Sequence, residues 1–536
     1  MTSQIVAKII AFVLYLGAMI LVGLRYAHSN NSSSDFFLGG RKVGPWVTAL
    51  SAEASDSSAW LLMGLPGLCY LGGVKETFWT ALGLIIGTYL SWLFVAKALR
   101  KCSITYGDSI TIPEFLTNRF KDKSHVLSIV SVTFIVLFFT IYTASGFVAC
   151  AKLFNSVFGI PYHVGLIIGL AVILCYTITG GYLAVCTTDF VQGTLIFVAF
   201  VVSALIAVIS LGGPANAIES VKNFQASAVA GEFGEAIKNS FAANSNYKVM
   251  SIISALAWGL GYFGMPHIIV RFMGIRSNSE IKKARRIGMS WMIISYLGTF
   301  IIGTLGTVYL LSSVGDGGLK FAAHDTQTLL GPGTENVVIN GIANLLHGDA
   351  ETVFSATMQK MYPAFFAGIF LCAILAASMS TADSQLLAAA SAVGQDIYKG
   401  MIKKDASEKQ VLTVSRITVF AITIIALLLS LKPDSSIFDL VSFAWSGFGG
   451  TFGPLILLAL YWKRTTATGA IAGLITGGVV DVVWHYIPST VSPIFGLYEI
   501  LPAFVCCLVV TIVVSLCTKQ DEEISVKFEQ YKTMAD

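Results

Sequence analysis

The sequence predicts an all-α membrane protein with about thirteen transmembrane helices, ten of which form two inverted repeats of five. Of the 536 residues, 55% are hydrophobic and only 12% are charged, and the mean hydropathy is +0.75. Apolar stretches of about 20 residues, the length that crosses a bilayer as a helix, recur along the whole chain. Two of these stretches are interrupted by glycine, proline and polar residues.

The chain is predicted to form one transmembrane domain of residues 1–536, without a separate soluble unit. Its first apolar run lacks a basic segment before it and is followed by Arg25, which favours a retained span over a cleaved signal peptide. The nine cysteines show no CxxC or Cys/His spacing, so neither a disulfide framework nor a zinc site is predicted. The predicted parts are a first span and inner loop (1–42), a first repeat (43–211), a second repeat (248–462), two last spans (463–517) and a cytoplasmic tail (518–536).

The second and seventh predicted spans are the interrupted ones. They contain "VGPWVTALSAEASDSSAWLLMGLPG" and "SALAWGLGYFGMPHIIV". Glycine and proline release backbone groups from the helical hydrogen bonds, and at bilayer depth those groups need protein, ion or water as partners. If spans two to six and spans seven to eleven are two repeats, the two interrupted spans occupy matching places in them. Because each repeat has an odd number of spans, the second repeat is inverted in the membrane. Such a pair predicts a transport site near the midplane, whereas simple kinking for packing is the other interpretation.

The ninth span contains "LAASMSTADSQLLAAAS", whose hydroxyl residues follow a helical spacing. Ala377, Ser380, Thr381 and Ser384 stand at i, i+3, i+4 and i+7, so they share one face. Hydroxyl and carbonyl oxygens suit a hard cation such as sodium. A packing face of small residues has the same pattern, and the spacing alone does not separate the two.

Asp56, in the second span, favours the cation site. An acid within a span usually faces the protein interior and marks an ion or proton path. Glu53 lies one helical turn earlier, and its role stays open between contact with solute or ion and pairing with a basic or hydroxyl group.

Three aromatic residues are candidates for a solute pocket. Trp258 and Tyr262 are four residues apart on the seventh span, and Tyr142 lies among small residues in "FFTIYTASG". Aromatic walls with a few polar groups form good small-ligand sites, and a ligand ammonium gains cation–π attraction there. Packing within the core or against lipid explains most aromatic residues of such a chain equally well.

Two further acids lie in apolar spans. Asp189 in "CTTDFVQG" is expected either to cap the sixth helix or to lie on an ion path. Asp383 is expected to assist a second ion together with Ser384, or to pair elsewhere.

The distribution of basic residues predicts the orientation. If the N-terminus lies outside, most of the 34 Lys and Arg residues fall in the inner gaps, at inner span ends and in the tail. Basic residues concentrate on the cytoplasmic side of membrane proteins. The sequence therefore predicts an outer N-terminus and an inner C-terminus.

Several quoted segments together resemble the sodium/solute symporter family. They are "DFFLGGRKVGPWVTALSAEASDSSAWLLMGLPG", "LFFTIYTASG", "ITGGYLAVCTTDFVQ", "LAWGLGYFGMPHIIVRFM", "MSTADSQLL" and "ALYWKRTTATGAIAGLITGG", spread from about residue 35 to 480. The resemblance implies a LeuT-type inverted repeat with one extra span before it and two after it. It also implies sodium as the coupling ion and no other cofactor.

The resemblance also implies site residues at matching positions. The implied sodium ligands, with Asp56 in support, are Ala54, Ser57, Ala377, Ser380 and Thr381. The positions implied to line or shape a proline pocket are Ser55, Trp60, Gly64, Tyr142, Trp258, Tyr262 and Pro266. Those implied for ion access or a second ion are Arg41, Asp189, Asp383 and Ser384. Glu53, Ser57, Asp383 and Ser384 depart from the family pattern.

The function expected from these features is sodium-coupled import of L-proline by alternating access across a cell membrane, with no enzymatic step. The partners expected are L-proline, sodium and the lipid bilayer. Glu53 keeps open the symport of another small amino acid or carboxylate. A transporter-like membrane sensor is a third interpretation, disfavoured by the short tail, and an intramembrane enzyme lacks a catalytic constellation.

Overall fold

The computed structural model describes residues 3–26, 32–72, 74–230, 247–312, 349–433 and 435–533. These residues are almost wholly helical, and one isolated parallel bridge joins Val43 to Ile275. The helices of the first half are α1 (Ser3–Tyr26), α2 (Ser33–Leu38), α3 (Pro45–Ala59), α4 (Leu65–Gly72), α5 (Val74–Leu90), α6 (Ala96–Thr105), α7 (Ile112–Phe120), α8 (Val126–Phe158), α9 (Tyr162–Ser210) and α10 (Pro214–Ala230). Those of the second half are α11 (Val249–Ala257), α12 (Pro266–Gly274), α13 (Ile281–Ser312), α14 (Val353–Met361), α15 (Ala364–Ser391), α16 (Glu408–Leu429), α17 (Ile437–Tyr461), α18 (Ala467–Tyr486), α19 (Ile500–Cys517) and α20 (Glu522–Thr533).

The all-α class is confirmed, whereas the count of thirteen transmembrane helices is not. Among the described residues, ten helices are long and apolar enough to cross a membrane, and the bent pair of α11 and α12 makes eleven. Two predicted spans fall short of this criterion. The second is divided between α3 and α4, and the fifth runs into the sixth within α9.

The fifth and sixth predicted spans join through a kink. Gly181, inside α9, has φ 65° and ψ −178°. A left-handed φ carries no Cβ penalty at glycine, so the chain changes direction there without an intervening loop. A bend at the single residue Gly181 therefore takes the place of the gap expected between the two spans.

The second span is broken where the sequence predicts an interruption. Ser58 has φ 43° and ψ −179°, and a π-helical turn, Trp60–Gly64, follows it before α4 begins. A positive φ is strained for a residue with a Cβ. The amide of Trp60 donates to Oγ of Ser58 over 3.1 Å, which gives one freed N–H a partner.

The seventh span is broken as well. A 3₁₀ turn, Trp258–Phe263, follows α11, and α12 then starts at Pro266 after a bend of 43°. Proline suits this first position because its missing N–H would have no helical acceptor there. Both predicted interruptions are thus confirmed as features of the backbone.

The broken α3 lies at the centre of the bundle. It packs against α9, α12, α13 and α15, and residues 48–59 are all buried. Polar side chains on these helices therefore face protein groups at a depth where water is scarce, and they must find partners among one another.

The C-terminal helix α20 returns to the face that holds α7. The guanidinium of Arg119 in α7 lies 4.8 Å from the ring centre of Phe528, and Nζ of Lys121 pairs with Asp521 over 3.0 Å. The two acids Asp521 and Glu523 raise the pKa of Lys121. The tail and the loop around α7 thus lie on the same side of the molecule.

Candidate ion and solute site

Hydroxyl groups of α15 meet the carbonyl groups next to the break in α3. Oγ of Ser380 donates to the carbonyl of Ala54 over 2.8 Å and lies 3.2 Å from the carbonyl of Ala377. Oγ1 of Thr381 donates to the carbonyl of Ser55 over 2.8 Å. All of these groups are buried. The structure therefore brings four of the five predicted sodium ligands into one cluster of neutral oxygens.

Ser57, the fifth predicted ligand, lies in the same last turn of α3. Its carbonyl accepts a hydrogen bond from the amide of Trp60 across the break. Its hydroxyl donates to the carbonyl of Glu53 over 2.5 Å. Ser57 also lines the cavity described next, so it adjoins both the oxygen cluster and that cavity.

A narrow aromatic cavity adjoins the break, and its free volume of about 10 Å³ has room for about one water molecule. It is lined by Asp56, Ser57, Trp60, Leu84, Tyr142, Trp258, Tyr262, Tyr296, Val441 and Trp445. The rings of Trp60 and Trp258 stack with their centres 5.2 Å apart. The lining therefore combines flat apolar walls with one carboxylate and three phenol groups, a composition suited to a small solute.

Asp56 is the charged group of this cavity. It lies in the last turn of α3, and its Oδ2 accepts a hydrogen bond from the hydroxyl of Tyr262 over 2.5 Å. Both side chains are buried. The carboxylate is thus held at the cavity wall by a residue of the other interrupted helix.

Gly64 shapes the cavity wall from behind. A Cβ built on Gly64 would lie 3.0 Å from Cδ1 of Trp60, which is closer than side chains normally approach. The missing side chain lets the indole of Trp60 lie flat along its helix, in the position that stacks on Trp258.

Besides Gly64, three of the residues predicted for the solute pocket do not line this cavity. Ser55 directs its hydroxyl to Asp189, and Pro266 lines a second cavity together with Arg271 and Ser384. Glu53 is buried between α13 and the π-helical turn Ser91–Val95 that follows α5. It accepts from Nε1 of Trp92 over 3.3 Å, and a Cβ on Gly288 would lie 2.6 Å from its Oε1.

A buried ion pair lies between α9 and α12. A terminal nitrogen of the Arg271 guanidinium is 3.3 Å from Oδ2 of Asp189, and both side chains are almost fully inaccessible. The same carboxylate oxygen accepts from the hydroxyls of Ser51, over 2.7 Å, and Ser55, over 3.1 Å. Asp189 is therefore neither a helix cap nor an isolated acid, because it forms the centre of a polar network.

Ser384 joins this network from α15. Its hydroxyl lies 2.9 Å from that of Ser55 and accepts from Arg271. It also donates to Oδ1 of Asp383 over 3.3 Å. Of the four residues expected to serve ion access or a second ion, Asp189, Asp383 and Ser384 thus lie in one network, whereas Arg41 lies apart from it.

Arg41 ties together the loops at one end of the bundle. Its guanidinium donates to Asp108 over 3.0 Å, to the carbonyl of Ser109 over 2.9 Å and to the carbonyl of Met273 over 2.7 Å. Burial lowers the pKa of Arg41, and the charge of Asp108 opposes that effect. These contacts place the residue between the loop after α6 and the end of α12.

Arg271 and His267 were not singled out as site residues from the sequence. Nε2 of His267 lies 3.3 Å from the carbonyl of Ser55, and Arg271 donates to the carbonyl of His267 over 2.6 Å. Both residues lie in the quoted segment "PHIIVRFM", directly after the second break. A basic residue within an apolar, interrupted span was the signal that could have identified Arg271.

The sequence matches the model of a protein family and the sequences of named proteins from other organisms. The model of the sodium:solute symporter family matches residues 36–477. The osmoregulated proline transporter OpuE of Bacillus subtilis is 42% identical over 517 residues, 96% of each chain. The sodium/proline symporter of Escherichia coli is 40% identical over 512 residues, which cover 95% of this chain and 93% of that protein.

A solved structure shows the same fold. A Na⁺-coupled sialic acid symporter in a substrate-bound outward-open state superposes with a TM-score of 0.73 at 20% sequence identity. The match covers 96% of this chain and 98% of that one. This likeness confirms the LeuT-type architecture that the sequence predicts.

Proposed function

Because the chain belongs to the sodium:solute symporter family, we propose that this multi-pass membrane protein imports L-proline together with sodium across the cell membrane. The relatives named above carry proline in their names, and two kinds of site expected of such a transporter adjoin one another here. The observation that carries the proposal is the break in α3, which contributes carbonyl oxygens to the cluster with α15 and side chains to the aromatic cavity.

The oxygen cluster is the proposed sodium site. Sodium, as a transported ion, would be held by the carbonyls of Ala54, Ser57 and Ala377 and by the hydroxyls of Ser380 and Thr381. Hard cations prefer oxygen ligands, and the carbonyls freed by the break supply them without a fixed charge. Asp56 supports the site electrostatically, because a buried carboxylate lowers the cost of placing a cation nearby.

The aromatic cavity is the proposed proline site. The stacked rings of Trp60 and Trp258 would separate to admit the solute. Together with Tyr142 and Tyr262 they would then enclose its apolar ring. The secondary ammonium of proline would gain attraction from these ring faces and from Asp56. Gly64 acts through Trp60, whose ring position it permits, while Ser55 and Pro266 act through the backbone of the two breaks.

Coupling follows because one interrupted segment of backbone serves both ligands. Sodium would order the break in α3, and that order would fix Asp56 and Trp60 in the geometry that binds the solute. A membrane potential of 100 mV contributes about 2.3 kcal/mol for each charge moved inward. This corresponds to roughly fifty-fold accumulation before the sodium gradient is added.

The proposed orientation has the N-terminus outside and the C-terminus inside. The basic residues Arg41, Lys121 and Arg276 lie on one side of the bundle together with α20. Arg41 contacts the end of α12 and the loop after α6, and Arg276 follows α12. On the same side α20 packs against α6, and Lys121 pairs with the tail. Cytoplasmic loops are rich in Lys and Arg, which favours that side as the inner one.

Uptake of labelled proline into proteoliposomes tests the proposal. We expect uptake against a concentration gradient when external sodium is present, and background uptake when potassium replaces it. Competition by a panel of amino acids and small carboxylates would define the substrate. Sodium-independent uptake, or preference for a solute other than proline, would contradict the proposal. Glu53 lies outside the cavity, so it gives no reason to favour a different substrate.

A further inference from the structure

An open groove with a volume of about 430 Å³ lies on the surface of the bundle, between α3, α9 and α13. It is distinct from the aromatic cavity and shares none of its lining residues. The groove is mainly apolar and is lined by Trp46, Leu50, Thr194, Phe197, Arg286, Ile287, Ser290, Trp291 and Ile294. Small-molecule sites in proteins are commonly about 300–1,000 Å³ in volume, so the groove has room for a ligand.

The groove has a polar end and an apolar end. Trp46 is the second residue of α3, and Arg286 lies in the second turn of α13, so both are near helix ends. Ile294 lies eight residues beyond Arg286, which is about 12 Å along the helix axis. Tryptophan favours the membrane interface and isoleucine the hydrocarbon region. The groove therefore runs from the interface into the bilayer.

Positive charge is concentrated at the polar end. The start of α13 reads "IKKARR", and Lys282, Lys283 and Arg286 are exposed. The first turn of α13 carries no acidic residue, and Glu280 just before it is paired with Arg276. An exposed lysine, Lys42, also precedes α3 near Trp46.

We propose that this groove binds an anionic diacyl phospholipid. The phosphate would contact Arg286 and the neighbouring lysines, and an acyl chain would lie along Leu50, Phe197 and Ile294. Clusters of basic residues next to a membrane helix attract anionic headgroups. The apolar lining of the groove matches the chemistry of an acyl chain. The charge at one end and the apolar surface at the other select this ligand over a zwitterionic lipid.

The groove floor is close to the ion ligands. Nε1 of Trp291, which lines the groove, donates to the carbonyl of Gly193 over 2.8 Å. A Cβ on Gly193 would lie 3.2 Å from Cβ of Ala54. A bound acyl chain would therefore support α3, the part of the broken helix before Ser58. Lipid binding itself does not depend on which solute the protein carries.

Native mass spectrometry of the purified full-length protein tests this inference. Dioleoyl phosphatidylglycerol and dioleoyl phosphatidylcholine would be added separately, and the affinity of the first bound lipid measured. We expect phosphatidylglycerol to bind about tenfold more tightly. Arg286→Gln should weaken phosphatidylglycerol about fivefold and leave phosphatidylcholine unchanged, since each basic side chain near an anionic headgroup contributes about 1 kcal/mol.

Two further variants make the test specific. Ser290→Phe fills the groove from an exposed position and should weaken the tight phosphatidylglycerol site while the protein still folds. Arg416→Gln removes an exposed arginine on α16, outside the groove, and should change nothing. Equal affinity for the two lipids, or equal losses in Arg286→Gln and Arg416→Gln, would overturn the inference.

Discussion

The hydroxyl of Tyr262 donates a hydrogen bond to Oδ2 of Asp56 over 2.5 Å, so the two interrupted helices are joined directly at the cavity wall. Tyr262 lies in the 3₁₀ turn of the seventh span, and Asp56 lies two residues before the strained Ser58 in the second. This buried hydrogen bond joins the stack of Trp60 on Trp258 and the contact of His267 with the carbonyl of Ser55 in linking the two breaks. This contact links the aromatic wall to the proposed ion site.

Removing the Tyr262 hydroxyl should weaken sodium binding more than proline binding. Tyr262→Phe keeps the ring but leaves a buried carboxylate oxygen without its donor, which costs about 1–3 kcal/mol. We expect the half-saturating sodium concentration for proline uptake to rise at least about fivefold. Asp56→Asn should act in the same direction. Tyr461→Phe, which removes a phenol bonded to the carbonyl of Phe94 away from the site, is the control. Sodium curves that match the wild type would refute this link.

The hydroxyls of α15 should be required for sodium activation. Ser380→Ala and Thr381→Ala each remove one proposed ligand and leave a carbonyl of α3 without its donor. We expect a sodium half-saturation about tenfold higher in each variant, measured by proline uptake over a sodium series. Ser378→Ala is the matched control, since that hydroxyl donates to the carbonyl of Ile374 within the same helix. Loss of the same size in all three would indicate a packing effect rather than ion binding.

A side chain at position 64 should weaken proline binding. In Gly64→Ala the added Cβ lies 3.0 Å from the Trp60 indole, so the ring must shift by a few tenths of an ångström relative to Trp258, on which it stacks. We expect the proline concentration for half-maximal uptake to rise about tenfold, the equivalent of about 1.4 kcal/mol. Gly17→Ala on α1 adds a methyl group with nothing within 4 Å and should leave uptake unchanged. An unaltered proline affinity in Gly64→Ala would remove Trp60 from the pocket.

Glu53 should contribute to packing and leave substrate choice unaffected. Its carboxylate accepts from Trp92 and fits against Gly288, outside the cavity. Glu53→Gln preserves the shape and an oxygen acceptor, so we expect the same ranking of competing amino acids as in the wild type. The competition panel described for proline uptake measures this ranking. A shift toward carboxylate or cationic substrates would return Glu53 to the solute site.

The Arg271–Asp189 pair should be strongly non-additive. Breaking a buried pair leaves an uncompensated charge and costs about 3–5 kcal/mol, whereas removing both charges costs less. We therefore expect Arg271→Gln to lower the thermal unfolding temperature more than the double variant Arg271→Gln with Asp189→Asn. Arg276→Gln breaks an exposed pair and should have little effect. If the unfolding temperature of the double variant falls by as much as the sum of the falls in the two single variants, the ion pair makes no specific contribution to stability.

Much of the fold was determined by the sequence alone. Apolar runs and their hydropathy depend on local composition, so the all-α class could be predicted without knowing which helices touch. Proline acts on its own backbone, so the break before Pro266 could be predicted from local sequence. In the second span the composition indicated an interruption but did not locate it, because the strained residue is Ser58 and the nearest glycine is Gly64. The number of spans was less predictable, because the kink at Gly181 replaces a loop with one left-handed residue.

Contacts between distant residues were decided by the tertiary structure. Ser380 and Ala54 are separated by 326 positions, and no periodicity within either helix reveals that their oxygens meet. The environment of Glu53 and the pairing of Arg271 with Asp189 are likewise set by how α3, α9, α12 and α13 pack. The sequence indicates that a polar side chain within an apolar span needs a partner, because a bilayer offers none. Only the packing of the helices determines which partner it has.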